Sequence, residues 1–242
     1  SIAEKYSTLN SKTGAEQLPV LRIMQSNGGS ITIADARREP VRCILSGPAA
    51  GVIGSSYLGR ILTKELNQDS GMKNNIHPTK KNKILTFDMG GTSTDVSVIC
   101  DKTPLTTDSI ISGCPINIPM LDIHTIGAGG GSIAYIDAGG VLRVGPESAG
   151  ADPGPACYGF GNLPTVTDAN LILGRIPPNN YLGGKIHLNY SKAYTVLKTL
   201  GNSIGLSAEK TALGILAIAN AHMERALRVI SVERGHDPRE LL

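Results

Sequence analysis

The sequence predicts an α/β domain in which a mixed sheet carries flanking helices. Three observations lead there. The middle of the chain alternates short apolar runs with glycine-rich turns, the last fifty residues repeat apolar side chains at helical spacing, and 242 residues with 40% apolar content can bury a substantial core. No internal repeat is present, so the elements have to be taken one by one.

From the amino terminus, residues 1–40 form a loosely defined lead-in. "YSTLNSKTGAEQ" reads as a polar loop, and "LPVLRIMQS" and "SITIADA" read as two strands joined by the turn "NGG" at 27–29. Residues 45–66 are predicted as a helix after Pro48, with Val52, Ile53, Leu58, Ile61 and Leu62 on one face. Ala49, Ala50, Gly51 and Gly54 would let the start of that helix approach another backbone or a ligand closely. "KNNIHPTKKNK" at 73–83 reads as a solvated loop.

"KILTFDMGGTSTDVSVIC" at 83–100 predicts two strands around a turn. Ile84, Leu85 and Phe87 form a buried strand ending at Asp88, and Val96, Val98 and Ile99 resume an apolar strand after Asp95. Gly90 and Gly91 allow backbone angles closed to other residues, so that successive N–H groups can converge on an anion. An ordinary tight hairpin needs neither a carboxylate on each side nor three hydroxyls in a row at Thr92, Ser93 and Thr94. Phosphate is the expected guest, with Asp88 or Asp95 holding Mg²⁺ through water.

Further on, "IAYIDAGGVLRV" is a hairpin turning at Asp137–Gly140, and residues 145–164 are a long irregular segment of the kind that carries function. "TDANLILGRI" begins a short helix capped by Thr167 or Asp168. Two helices follow, at 191–202 and 207–234. In the second, Leu213, Leu216, Asn220, Met223, Leu227 and Ile230 form a stripe. Asn220 on that stripe would either tie the helix to a neighbouring backbone or look into a cleft.

Composition excludes several classes. A net charge of +3, scattered basic residues, seven Tyr and two Phe do not make a nucleic-acid surface. Cys43, Cys100, Cys114 and Cys157 lie far apart without a C-x-x-C pair, against a disulfide framework or zinc ribbon and in favour of a reducing cytoplasm. No run approaches a membrane span, and no basic-then-apolar leader opens the chain.

Other motifs carry less. Asp122 and His124, two apart on a strand-like run, should share a face close to "GAGGGS" at 127–132. His124 would be an acid/base or polar anchor, with Asp122 orienting it or joining a metal site. Cys157 reads as a small buried thiol, and "SAEK" at 207–210 as a helix start capped by Ser207. "GAGGGS" lacks the final glycine of a dinucleotide fingerprint, and "GGKI" at 183–186 ends in the wrong residue for a phosphate-binding lysine loop.

"FDMGGTSTDVSVI" resembles the second phosphate loop of the superfamily of actin, sugar kinases and chaperone ATPases, and "LSGPAAGVIG" its connecting helix. More specifically, "SGPAAGV", "TFDMGGTSTDVS", "DIHTIGAGGGSIA", "GPESAGADPGPACYG", "TVTDANLILGR" and "SVERGHDPRE" together resemble the hydantoinase A and 5-oxoprolinase family, which includes a subunit of acetone carboxylase. The resemblance implies a ribonuclease H-like fold equivalent to the second lobe of an actin-like ATPase, with residues 1–242 forming a single core domain. It implies ATP and Mg²⁺, and ATP-dependent opening of a cyclic amide such as hydantoin, N-methylhydantoin or 5-oxoproline through a phosphorylated intermediate. An ATP-dependent carboxylase subunit and a nucleotide-sensing or chaperone-like module are the alternatives. Gly90, Gly91, Thr92, Ser93 and Thr94 would bind the phosphates, Gly129, Gly130 and Gly131 would form the far wall, and Asp88, Asp95, Asp122 and His124 would act in catalysis. The family pattern adds an upstream lobe with its own Asp-Gly-Gly-Thr loop and a downstream Gly-Gly-Ala-Gly turn. This chain is therefore expected to be an internal fragment, inactive alone, that works with a hydantoinase B-like subunit or fused domain.

Overall fold

A computed structural model describes residues 21–69, 83–100, 103–107, 109–111, 113–179 and 187–241. The loops expected at 6–17 and 73–83 and the "GGKI" segment lie wholly or largely outside these residues. The described residues gather into two compact units. One takes the residues up to Ile84 together with Ile99–Ile123, and the other takes Leu85–Val98 and His124–Leu241.

In the first unit, strands β1 (Arg22–Met24) and β2 (Ser30–Thr32) pair antiparallel around the "NGG" turn. Gly28 takes φ +83 there, a conformation that side chains disfavour. The second strand is shorter than expected because Thr32 caps a helix. Its side chain accepts from the Asp35 N–H, which starts α1 (Ile33–Arg38) inside the apparently strand-like "ITIADA".

Helix α2 spans Ser46–Asp69, close to the predicted 45–66. Its buried contacts are Ala49 and Val52, which pack with Ile84, Ile99 and Leu121, while Leu58 and Leu62 are 60% and 51% exposed. The face is thus narrower than the sequence suggested. Its closest approach comes at Gly59, where an added Cβ would sit 2.6 Å from Ile84 Cδ1. Around Gly47 and Gly54 space is open.

Strands β3 (Lys83–Met89) and β4 (Thr94–Cys100) form the expected hairpin. Phe87 is 44% exposed rather than buried, because the strand alternates: Ile84 and Thr86 turn inward and Phe87 turns out. Short antiparallel pairs follow in the first unit, β5 (Leu105–Thr106) with β8 (Met120–Leu121) and β6 (Ser109–Ile111) with β7 (Cys114–Ile116).

The second unit holds β9 (His124–Ile126), β10 (Ser132–Ile136), β11 (Leu142–Ser148), α3 (Val166–Ile172), α4 (Tyr190–Asn202) and α5 (Ala208–Ile230). Strand order in its main sheet is β3-β4-β9, and β10 pairs with β11 around the predicted turn, where Asp137 Oδ1 accepts from the N–H groups of Gly139 and Val141. Every pairing with a described register is antiparallel, so the expected mixed sheet is replaced, among the described residues, by several small antiparallel ones. Short turns join successive strands, and parallel neighbours would need a long crossover.

The helical core corrects two expectations. α3 is capped by Thr165, not Thr167 or Asp168, in a capping box with Asp168 at its third position. The buried stripe of α5 is Ala208, Thr211, Ala212, Ile215, Leu216, Ala219, Ala226 and Ile230. Leu213 is 53% exposed and Asn220 is exposed too, so the stripe lies rotated from the one expected. Alanine made the difference: its small side chain adds little to an apolar pattern, yet it lets α3 and α4 pack closely on α5. Leu171, Leu197 and Ile215 are fully buried at the centre, each contributing about 1.5–3 kcal/mol.

Candidate functional site

The β3–β4 turn is a two-residue bend. The Gly90 N–H donates to Ser93 O (2.9 Å), and counting back along both strands from that pair sets Thr86 against Ser97 and Asp88 against Asp95. The Thr86 hydroxyl, which donates to Ser97 O (3.3 Å), agrees with this register. The two carboxylates therefore share one face of the sheet. Asp95 accepts from the Thr125 hydroxyl (2.6 Å), while Asp88 is exposed and its carboxylate has no hydrogen bond or ion pair among the described residues.

Beneath the turn lies the loop that follows β9. Gly130 and Gly131 donate to the carbonyls of Gly90 (3.0 Å) and Gly91 (2.6 Å). Thr94, fully buried, donates its hydroxyl to Ala128 O (2.6 Å), and the Ser132 hydroxyl accepts from the Gly129 N–H (2.9 Å). The contact is backbone on backbone: a Cβ on Gly129 would lie 2.7 Å from Gly91 C and Thr92 N, and one on Gly131 would lie 2.8 Å from Gly91 O.

The role of Gly90 and Gly91 differs from the expected one. Neither takes a positive φ in the left-handed region, so unusual backbone angles are not what they supply. A Cβ at Gly91 would meet nothing within 4 Å, which leaves the outer side of the turn open. The N–H groups of Gly91, Thr92 and Ser93 have no acceptor among the described residues. One side of the bend is thus closed by glycines at 129–131, the side beside Gly91 is open, and the bend carries three N–H groups able to bind an anion.

The two other predicted residues stand elsewhere. Asp122 falls between β8 and β9 and belongs to the first unit, where its N–H donates to Pro104 O (3.0 Å). The strand breaks at Asp122 and Ile123, so the alternation that would align Asp122 with His124 does not operate. His124 pairs with Val96 while Thr125 pairs with Asp95, which turns the imidazole to the sheet face opposite the carboxylates. There it lines a cavity of about 850 Å³ with Tyr135, Arg143, Pro146, His222 and Arg225.

Cys157 is fully buried beside Asp168, and burial, with the neighbouring carboxylate adding to it, pushes its thiol far above the ordinary range. It stays protonated and inert. Among the described residues no cluster of three or more His, Cys, Asp or Glu could hold a metal, so a cation at Asp88 and Asp95 would need oxygens from its ligand or from water. Sequence reasoning missed Thr167, whose hydroxyl donates to Gly130 O (2.8 Å). No local pattern marks a contact 37 residues away in the chain.

The α/β fold is shared with known proteins. The chain belongs to the hydantoinase/oxoprolinase family, whose model matches residues 3–67 and 70–242. It is 39% identical over 240 residues to caprolactamase subunit alpha of Pseudomonas jessenii, covering 98% of this chain and 32% of that protein. It is 37% identical to 5-oxoprolinase of Dictyostelium discoideum, covering 90% of this chain and 18% of that one. Among solved structures, nucleotide-free acetone carboxylase superposes with a TM-score of 0.81 at 27% identity, over 98% of this chain and 31% of that chain. The ATP-dependent caprolactamase of Pseudomonas jessenii superposes with a TM-score of 0.71 at 38% identity, over 99% and 32%. The chain thus spans a third or less of the length of these relatives. No described helix is long and apolar enough to cross a membrane.

Proposed function

We propose that this chain is one wall of the nucleotide site in an ATP-dependent enzyme that opens a cyclic amide. A single observation carries the reading: the N–H groups of Gly91, Thr92 and Ser93 have no acceptor among the described residues, in a turn packed on Gly129–Gly131 at one side and open beside Gly91 at the other. Such a bend suits the terminal phosphates of ATP, with Thr92 and Ser93 hydroxyls as added donors. Asp88 and Asp95, opposed on one sheet face with Asp88 free to bind, suit Mg²⁺ held through water. Mg²⁺ there would neutralise charge developing on the phosphates. The fold is read as the ribonuclease H-like second lobe of an actin-like ATPase, within a single family domain that comprises both units and belongs to a longer cytoplasmic polypeptide.

The chemistry follows from the weak electrophilicity of an amide. Its oxygen attacks the γ-phosphorus and ADP leaves, and water can then add to the activated carbon. The ring C–N bond breaks to give an amine and an acyl phosphate, and a second water releases phosphate and the carboxylate. This chain's residues would bind and orient the phosphates. The lactam itself would be held largely by the rest of the polypeptide or by a hydantoinase B-like partner, as the subunit name of the caprolactamase relative suggests.

One observation favours a second reading, ATP-driven carboxylation: the superposition on acetone carboxylase is the tighter of the two, and acetophenone carboxylase gamma subunit of Aromatoleum aromaticum is 34% identical over 226 residues. Full-length protein with its partner, assayed for ADP release with 5-oxoproline, with hydantoin, or with acetone plus bicarbonate, separates the readings. Stimulation by a lactam alone is expected. Stimulation only by ketone and bicarbonate moves the function to carboxylation, and ATP turnover indifferent to all three substrates overturns both.

A further inference from the structure

We infer that Thr167 is a positioning residue for the nucleotide-facing turn, an inference that rests on the phosphate reading above. Thr167 is the second residue of α3, and both its N–H and its hydroxyl donate to one acceptor, Gly130 O, each at 2.8 Å. Gly130 in turn donates its own N–H to Gly90 O. The Gly130 carbonyl shares its peptide group with the Gly131 N–H, which donates to Gly91 O (2.6 Å), so that one peptide group is held at its oxygen by α3 and at its nitrogen by the turn. Two donors on the oxygen polarise that peptide and strengthen its N–H bond to Gly91.

The hydroxyl is not needed by its own helix. Thr165 already caps α3, and the N–H of Thr167, one of the donors that a helix start leaves without an internal partner, is met by Gly130 O. The Thr167 side chain reaches away from α3 to the glycine loop, and a Cβ on Gly130 would lie 2.9 Å from its oxygen. What stands behind Thr167 is firm. Asp168 is fully buried and accepts from the Thr165 N–H and hydroxyl and from the N–H groups of Ala156 and Cys157 at 2.7–3.2 Å. Ala169, Leu171 and Ile172 anchor the same short helix in the core. The line from the Asp168 carboxylate through Thr167 and the Gly130–Gly131 peptide to Gly91 sets how far the donors at Gly91–Ser93 project.

The test uses full-length protein carrying Thr167→Val or Thr167→Ser, read by MgATP titration calorimetry, the KM and kcat for ATP, and thermal melting. Thr167→Val keeps the shape and the backbone bond but loses the hydroxyl bond. It is expected to weaken ATP binding by about tenfold, mainly in KM, with Thr167→Ser within about twofold of wild type. Hydrogen exchange supplies a second readout that needs no nucleotide: Thr167→Ala should speed exchange at residues 88–95 and 127–132 and nowhere else, and Thr167→Ser should not. ATP affinity unchanged in Thr167→Val, or exchange that rises across the whole of α3–α5, overturns the inference alone. A wild-type protein that retains no ATP overturns the phosphate reading and the inference together.

Discussion

Asp95 and His124 stand on opposite faces of one three-stranded sheet, although the strands that carry them are direct neighbours. His124 is in register with Val96, and Asp95 with Thr125, one step along the pair. Side chains alternate across a strand, so that single step divides the predicted site. The carboxylates face the side where Thr125 donates to Asp95, and the imidazole faces α5 through His222 and Arg225.

His124→Ala in the full-length protein should therefore leave MgATP affinity within about twofold, whereas Asp88→Asn should weaken it by about tenfold or more. Calorimetric titration of both variants checks the pair. Equal losses in the two would place the imidazole with the nucleotide after all.

Gly91 and Gly129, identical in chemistry, should behave oppositely. Gly129→Ala drives a methyl into the backbone of Gly91 and Thr92 and is expected to cost about 1–3 kcal/mol of stability. Gly91→Ala points into open space and should change stability by less than about 0.5 kcal/mol. Its methyl would still obstruct a phosphate, so ATP affinity should fall by about tenfold or more. Denaturant unfolding and nucleotide titration, run side by side, read both effects.

Asp168→Asn removes a buried carboxylate that accepts four hydrogen bonds and substitutes an amide, two of whose positions can only donate. A loss of about 2–4 kcal/mol is expected, measured by the shift in the urea midpoint. A shift below about 0.5 kcal/mol would show that the loop at 155–158 does not depend on this acceptor.

Cys157 gives a pH test. Burial and Asp168 hold the thiol protonated in the folded chain, while the unfolded thiol ionises near its ordinary value of 9.0. Between the two, the folded state binds the extra proton, so stability is full below pH 9 and falls by about 1.4 kcal/mol per pH unit above it. Cys157→Ala should flatten that part of the profile. By the same reasoning, iodoacetamide at pH 8 should label exposed Cys114 and spare Cys157, as peptide mass spectrometry would show.

Much of this protein could be read along the chain. The hairpin at 83–100, the turn at Asp137–Gly140, the helices starting near Ser46, Ser191 and Ser207, and the buried thiol at Cys157 all follow from local preference and short-range pattern. These features depend on residues within a few positions of one another. The stripe on α5 did not follow, because alanines carry a weak apolar signal and their burial depends on which helices arrive against them.

By itself, then, the sequence determined the bend between Asp88 and Asp95, its two strands and the family to which the chain belongs. Only the tertiary structure decided that Gly129–Gly131 close the bend from behind, that Thr167 holds Gly130, and that His124 looks the other way. The physical reason is distance along the chain: strand register and backbone approach join residues some 30 to 40 positions apart, and no local spacing encodes them.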